Sequence, residues 1–243
     1  MGGNEGAAQL PLRLALPDDA TLDNFLPDAA SRPLCAALSV PPDVGADATA
    51  GAASTEPLIF LHGPRGTGKT HLLQAACHLL PKGSLYLPIS ELRDLSAAEL
   101  LHDLEQLQRV AVDDPRLIAG DAGWEEALFH LINRCRASGC QLLFADRQPP
   151  AGLQLRLPDL RSRLAGGVTW ALQAPDEARL REVLAFRARR RGLEASDAVL
   201  GYLCNRASRS LPELLALLAL LDEASLQAKR PLTVPMVRDT LGW

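Results

Sequence analysis

No stretch of this 243-residue sequence is apolar for anything near the roughly 20 residues that a helix needs to cross a bilayer. The start, MGGNEGAAQL, lacks a basic segment followed by an apolar one, so no secretory signal is expected. It also departs from a myristoylation start, because Gly6 stands where Ser or Thr is needed. Paired CxxC spacing is missing as well. The five cysteines, Cys35, Cys77, Cys135, Cys140 and Cys204, are odd in number and scattered, as befits small buried thiols in a reducing compartment. No metal site is expected from the five histidines: His71 and His78 can share a helix face, but no third ligand is near them in sequence. Nor is there a basic excess. The net charge is -4 and the isoelectric point near 5.8, which argues against sequence-specific DNA binding as the main role. No internal repeat is visible. These absences leave a cytoplasmic protein without membrane attachment as the expectation.

What is present is the composition of a globular protein, with 47% apolar and 22% charged residues and a mean hydropathy of +0.02. The stretch 41–56, PPDVGADATAGAASTE, has no large apolar residue after Val44 and is expected to be a loop. Beyond it, short apolar runs alternate with helical patterns. Strands are expected at 58–62, 84–89, 110–112, 141–145 and 168–172. Helices are expected at 71–80, 97–108, 124–138 and 158–164. Such alternation implies a mostly parallel sheet covered on both faces, an α/β fold. After Pro175 the pattern is helical only: 176–191, 196–207, 210–227 and 235–241, a small helical lid. Ser210 and Glu213 have the spacing of a capping box at the third of these.

The run GPRGTGKT, Gly63–Thr70, matches G-x-x-x-x-G-K-[ST] in full. Its glycines let successive N–H groups face one phosphate chain; Lys69 brings charge to the outer phosphates, and the Thr70 hydroxyl suits Mg²⁺. The following helix points its positive end at the anion. Coincidence of these residue types is on the order of once in 30,000 windows. The candidate nucleotide-binding residues are therefore Gly63, Pro64, Arg65, Gly66, Thr67, Gly68, Lys69, Thr70 and His71. Asp113 and Asp114 end the third strand; one is placed to hold Mg²⁺ and the other to orient an attacking water. Pro115, directly after them, restricts the turn. Asp146 ends the fourth strand, where ligands of open parallel sheets gather, and could reach the γ-phosphate region or its water. Arg161 and Arg163, in PDLRSRL, have the spacing of a solvated helix face; residue spacing alone gives them no other role.

Taken together, DATLDNFLP (19–27), the run GPRGTGKTHLLQAACHLL, VAVDD, ADRQPP, PDLRSRL and the tail QAKRPLTVPMVRDTLGW resemble AAA+ ATPases of the DnaA family over nearly the whole chain. The closest resemblance is to the short regulators of that family, which inactivate DnaA after replication has started. The resemblance implies three parts: a clamp-binding peptide and lead-in over 1–27, a nucleotide domain over 28–173 and a helical lid over 174–243. It implies ADP or ATP with Mg²⁺ as cofactors. It implies two partners, DnaA and the sliding clamp (the β subunit of DNA polymerase III), with self-association possible. Gln9, Leu10 and Leu12 in QLPLRL match the clamp-binding peptide, which would seat spaced side chains in an apolar groove. Arg163 matches the arginine donated in trans to a partner's ATP, and Arg161 is a second candidate.

The basic helix-turn-helix domain of DnaA has no counterpart in these residues. AAA+ lids also place an arginine at the start of their third helix; here Pro212 stands at that position, with Arg206 and Arg209 nearby, which points to weak intrinsic hydrolysis. Two other readings share the P-loop. An ATP-hydrolysing loader or remodeller of a replication helicase or DNA would show substantial turnover. A small-molecule kinase would need an arginine-rich lid between strands.

Overall fold

The computed structural model describes residues 16, 19–42, 56–207 and 210–243. The expected clamp peptide, Gln9, Leu10 and Leu12, and most of the expected loop 41–56 lie outside the described residues, as does Arg209.

Helix α1 (Arg32–Ser39) precedes β1 (Leu58–His62), α2 (Lys69–His78), β2 (Ser84–Pro88), α3 (Ile89–Leu92), α4 (Ala97–Leu100) and β3 (Arg109–Asp113). Then come α5 (Ala122–Ser138), β4 (Gln141–Asp146), α6 (Pro158–Ala165) and β5 (Val168–Ala171). The chain ends in four helices: α7 (Glu177–Arg190), α8 (Asp197–Arg206), α9 (Leu211–Ala228) and α10 (Val234–Leu241). The five strands pair in the order β2-β3-β4-β1-β5. All four pairings are parallel, which explains the continuously apolar strands: both sheet faces are covered.

Strand alternation sorts the core into two layers. Phe60, Val110, Val112, Leu142 and Phe144 pack against α5 and α6 through Leu128, Leu131, Leu160 and Leu164. Ile59, Leu61, Ala111, Leu143 and Ala145 face the other way, onto Leu34 and Leu38 of α1 and Leu72, Leu73 and Ala76 of α2. A third cluster joins the last four helices through Leu184, Leu203, Leu214, Leu218 and Val237. The longest of those helices, α9, is 18 residues. Among the described residues no helix is long and apolar enough to cross a membrane.

The expected helix over 97–108 stops after α4. Asp103 adopts a left-handed φ of 58°, and Arg134 of α5 takes the Leu101 carbonyl at 2.8 Å. The chain turns there to bury Leu104. Ile89, expected to end the second strand, begins α3 instead. Helix α1 was not anticipated; its entry is set by Asp28, whose carboxylate accepts from the Ser31 N–H and hydroxyl at 2.6 Å each. The expected capping box at α9 does not form, since Ser210 makes no side-chain cap bond. Pro212 at the second helical position has removed one of the N–H donors such a cap uses.

Candidate functional site

The residues GPRGTGKT leave the C-terminal end of β1 and enter α2. Gly63, at φ 151°, passes so close to β5's exit that an added Cβ would lie 2.2 Å from the Leu172 carbonyl oxygen. Gly68 is the N-cap of α2, at φ 89°. A Cβ there would meet the Phe25 ring at 2.8 Å. Side chains are thus excluded from the loop by neighbours as well as by backbone conformation. The N-terminal N–H groups of α2 have no capping side chain from Gly68, the arrangement that suits an anion.

Lys69 is buried and arches back over the loop. Its ammonium donates to the carbonyls of Gly63 (2.7 Å) and Pro64 (2.8 Å), with Thr67 Oγ1 at 3.4 Å. Burial holds its pKa below the ordinary lysine value, opposed by the nearby carboxylates of Asp113, Asp114 and Asp146. A phosphate entering the loop would draw the ammonium from neutral carbonyl oxygens to anionic ones.

Beside the loop, Thr70 Oγ1 donates to Asp113 Oδ2 at 2.7 Å. Tyr86 of β2 donates its hydroxyl to the same oxygen at 2.9 Å. Burial raises the Asp113 pKa, and the two donated hydrogen bonds oppose the rise. Hydroxyl and carboxylate oxygens at a strand end are the donor set a hard cation such as Mg²⁺ takes.

Asp114 and Asp146 are brought together by a residue the sequence did not flag, Arg116. Its guanidinium hydrogen-bonds Asp114 Oδ1 and lies 3.5 Å from Asp146 Oδ1. Asp114 sits at a left-handed φ of 58° directly before Pro115, the first residue of a short 3-10 turn. Asp146 is fully buried and accepts from the Arg116 N–H (2.9 Å) and the Arg147 N–H (2.6 Å). Both acids are therefore engaged within the chain, and Asp146 ties the β3 and β4 exits together. A cue existed in the short DDPR run, but not the pairing itself.

A cavity of about 370 Å³ adjoins the P-loop, of the size range that takes small ligands. It is walled by Gly66, Thr67 and Gly68, by Asn24–Leu26, by the exit of β5, and by Arg179, Val183, Arg187 and Leu211 from the last helices. His71 lines it and was expected at the nucleotide. Its Nε2 lies 2.8 Å from the Thr21 carbonyl and its ring stacks on Phe25 at 6.1 Å; burial lowers its pKa. The lead-in 19–27 thus walls this cavity through Asn24, Phe25 and Leu26. It is fastened by α7: Arg179 donates to the Leu26 carbonyl (2.6 Å), Arg187 to the Asn24 carbonyl (3.0 Å) and Arg187 also pairs with Asp19. These contacts, more than 150 residues apart in sequence, carry no local signal.

Helix α9 closes the site with Pro212, whose Cδ lies 3.2 Å from where a Gly66 Cβ would be. The residue at the lid-helix start is therefore an apolar ring against the P-loop. Arg163 and Arg161 are elsewhere: both are exposed on α6, and neither lines the cavity. The Arg163 guanidinium lies over the Phe129 ring, 6.0 Å from its centroid, at the edge of a surface hollow with Arg136, Asp159 and Ser162. Cys135 and Cys140 are buried, and no group of three or more His, Cys, Asp or Glu able to hold a metal occurs among the described residues.

The family model for the bacterial DnaA ATPase domain matches residues 16–171, and that for the Hda lid domain matches residues 176–241. An uncharacterized protein of Haemophilus influenzae is 37% identical over 239 residues, covering 96% of this chain and 98% of the relative. Domain III of the Thermotoga maritima replication initiation protein DnaA superposes with a TM-score of 0.74 at 22% identity, over 93% of this chain and 97% of that one. AMPPCP-bound DnaA from Aquifex aeolicus gives 0.68 at 22% identity, over 88% of this chain and 68% of that one. By the match of its larger part to the DnaA ATPase domain and of its last helices to the Hda lid, this chain belongs to the DnaA family of AAA+ ATPases.

Proposed function

We propose that this protein is an adenine-nucleotide-binding regulator that, with the DNA-loaded sliding clamp, promotes hydrolysis of ATP bound to DnaA and so restrains re-initiation of replication. The observation that carries the reading is the placement of its arginines. Pro212 faces the chain's own P-loop, while Arg163 stands exposed on α6, away from the cavity. A guanidinium so placed suits a neighbour's phosphates, where it neutralises charge on the transferring phosphoryl group. ADP or ATP occupies the cavity, with its phosphates on Gly66–Thr70 and Mg²⁺ held through Thr70 and Asp113. DnaA of Aquifex aeolicus was solved with AMPPCP, which supports an adenine nucleotide in the related cavity here. Asp114 and Arg116, half-buried, would face the approaching water, with Asp146 buried behind them. The three-part organisation, 1–27, 28–173 and 174–243, goes with this reading, and within the first part Asn24–Leu26 line the cavity.

Intrinsic ATP turnover is expected to be very slow, because Pro212 offers no charge to the γ-phosphate. Single-turnover measurement at saturating ATP checks this; a rate near the common enzyme value of about 10 s⁻¹ would instead favour an ATP-hydrolysing loader. The clamp partner is tested separately. Replacing Gln9, Leu10 and Leu12 together with alanine is expected to abolish binding to the sliding clamp in surface plasmon resonance, since a few anchoring side chains dominate such peptide contacts. Affinity for ADP should not change. Clamp binding that survives the triple replacement would assign this partner to another surface.

A further inference from the structure

Asp113 is held by more than the P-loop threonine. Tyr86 donates to the oxygen that also accepts from Thr70. The contacts converge on one atom: Thr70 of α2 and Tyr86 of β2 both donate to Asp113 Oδ2 at the end of β3. Strand pairing puts the two strands in register, since Pro88 pairs with Asp113 and Tyr86 with Ala111. Tyr86 therefore rises on the sheet face that carries α2 and reaches forward to the strand end. Its ring is buried among Ala111, Leu73 and Ala76 of that layer, so the hydroxyl has little freedom to point elsewhere.

We propose that Tyr86 is a positioning residue for the cation that accompanies the nucleotide, fixing the Asp113 carboxylate in the rotamer that complements Thr70. The inference rests on the nucleotide reading above and adds to it a residue outside the P-loop and the acidic pair. The physical reason is directional. An ionised carboxylate only accepts, so the single phenol proton goes to Asp113 Oδ2. With Thr70 donating to that same oxygen, Oδ2 is pinned from two sides and the carboxylate plane is set before any cation arrives. Partners that orient a metal-binding carboxylate commonly contribute 10- to 100-fold to metal affinity.

The test is binding of ADP to the full-length protein, by isothermal titration calorimetry, with Mg²⁺ and with EDTA, in wild type and in Tyr86→Phe. A second readout is Mn²⁺ binding to the ADP complex, followed by electron paramagnetic resonance. Phenylalanine keeps the ring in its layer and deletes only the hydroxyl. The variant is expected to keep the wild-type ADP affinity in EDTA, to lose most of the Mg²⁺-dependent gain, and to bind Mn²⁺ about 10- to 100-fold more weakly. Wild-type Mn²⁺ affinity in Tyr86→Phe would overturn the inference. So would an equal fall in ADP affinity with and without Mg²⁺, which would make Tyr86 a packing residue. Wild-type protein that binds no ADP in either condition would instead overturn the nucleotide reading, and the inference with it.

Discussion

Arg163→Ala is expected to remain folded and to bind ADP and the clamp normally, yet to lose about 10³- to 10⁵-fold of the acceleration of ATP hydrolysis on DnaA, the usual consequence of removing an arginine donated in trans. The side chain is exposed and its described contact is with the Phe129 ring at 6.0 Å. Truncating an exposed residue of this kind usually changes stability by no more than about 0.5 kcal/mol. A rate effect of three or more decades corresponds to at least about 4 kcal/mol, too large to arise through folding. Arg161→Ala should matter much less: two residues along a helix of eight places it on a different face. The measurement is phosphate release from ATP-loaded DnaA with loaded clamp, alongside thermal melting of each variant. A loss of only a few-fold, or one that tracks unfolding, would return Arg163 to a solvated helix face.

The second large effect concerns Lys69. ADP at a thousand times its Kd stabilises a protein that binds it by about 4 kcal/mol. For a chain of this size that is a rise in melting temperature on the order of 10 °C. Lys69→Ala is expected to abolish most of that rise. It removes the buried ammonium that Gly63 and Pro64 hold at 2.7 and 2.8 Å and with it the charge aimed at the outer phosphates. The loop itself should survive, since its course is set by Gly63 against Leu172 and Gly68 against Phe25. Thermal melting with and without ADP makes the comparison. A full ADP shift in the variant would mean that nucleotide, if bound, is not held by this loop.

Much of this architecture was legible because parallel strands buried on both faces are continuous apolar runs. All five expected strands are present, each within a residue or so of its expected ends. The P-loop was legible for a different reason: phosphate binding constrains residue type and spacing over eight positions. Capping chemistry was less so. Thr233 and Asp121 accept the N-cap bonds that the sequence suggests for such residues, but Ser210 does not, because the helix behind it begins Leu-Pro. The site's walls were hidden altogether. Arg179 and Arg187 reach back to Leu26 and Asn24 across more than 150 residues, and Tyr86 meets Asp113 only because β2 and β3 are neighbours in the sheet. Likewise Arg116 reads as one more charged residue until the turn after Asp114 folds it over Asp114 and Asp146. Local pattern gives the phosphate-binding element; the groups that orient it come from chain topology.

The most direct test of the central claim is a hydrolysis assay on ATP-loaded DnaA with DNA-loaded sliding clamp, run with and without this protein in its ADP-bound form. The proposed function predicts that DnaA-bound ATP is converted to ADP many-fold faster when the protein is added, and that the acceleration disappears when the clamp is left off the DNA. An unchanged rate of hydrolysis, with DnaA, loaded clamp and ADP-bound protein all present, would contradict it.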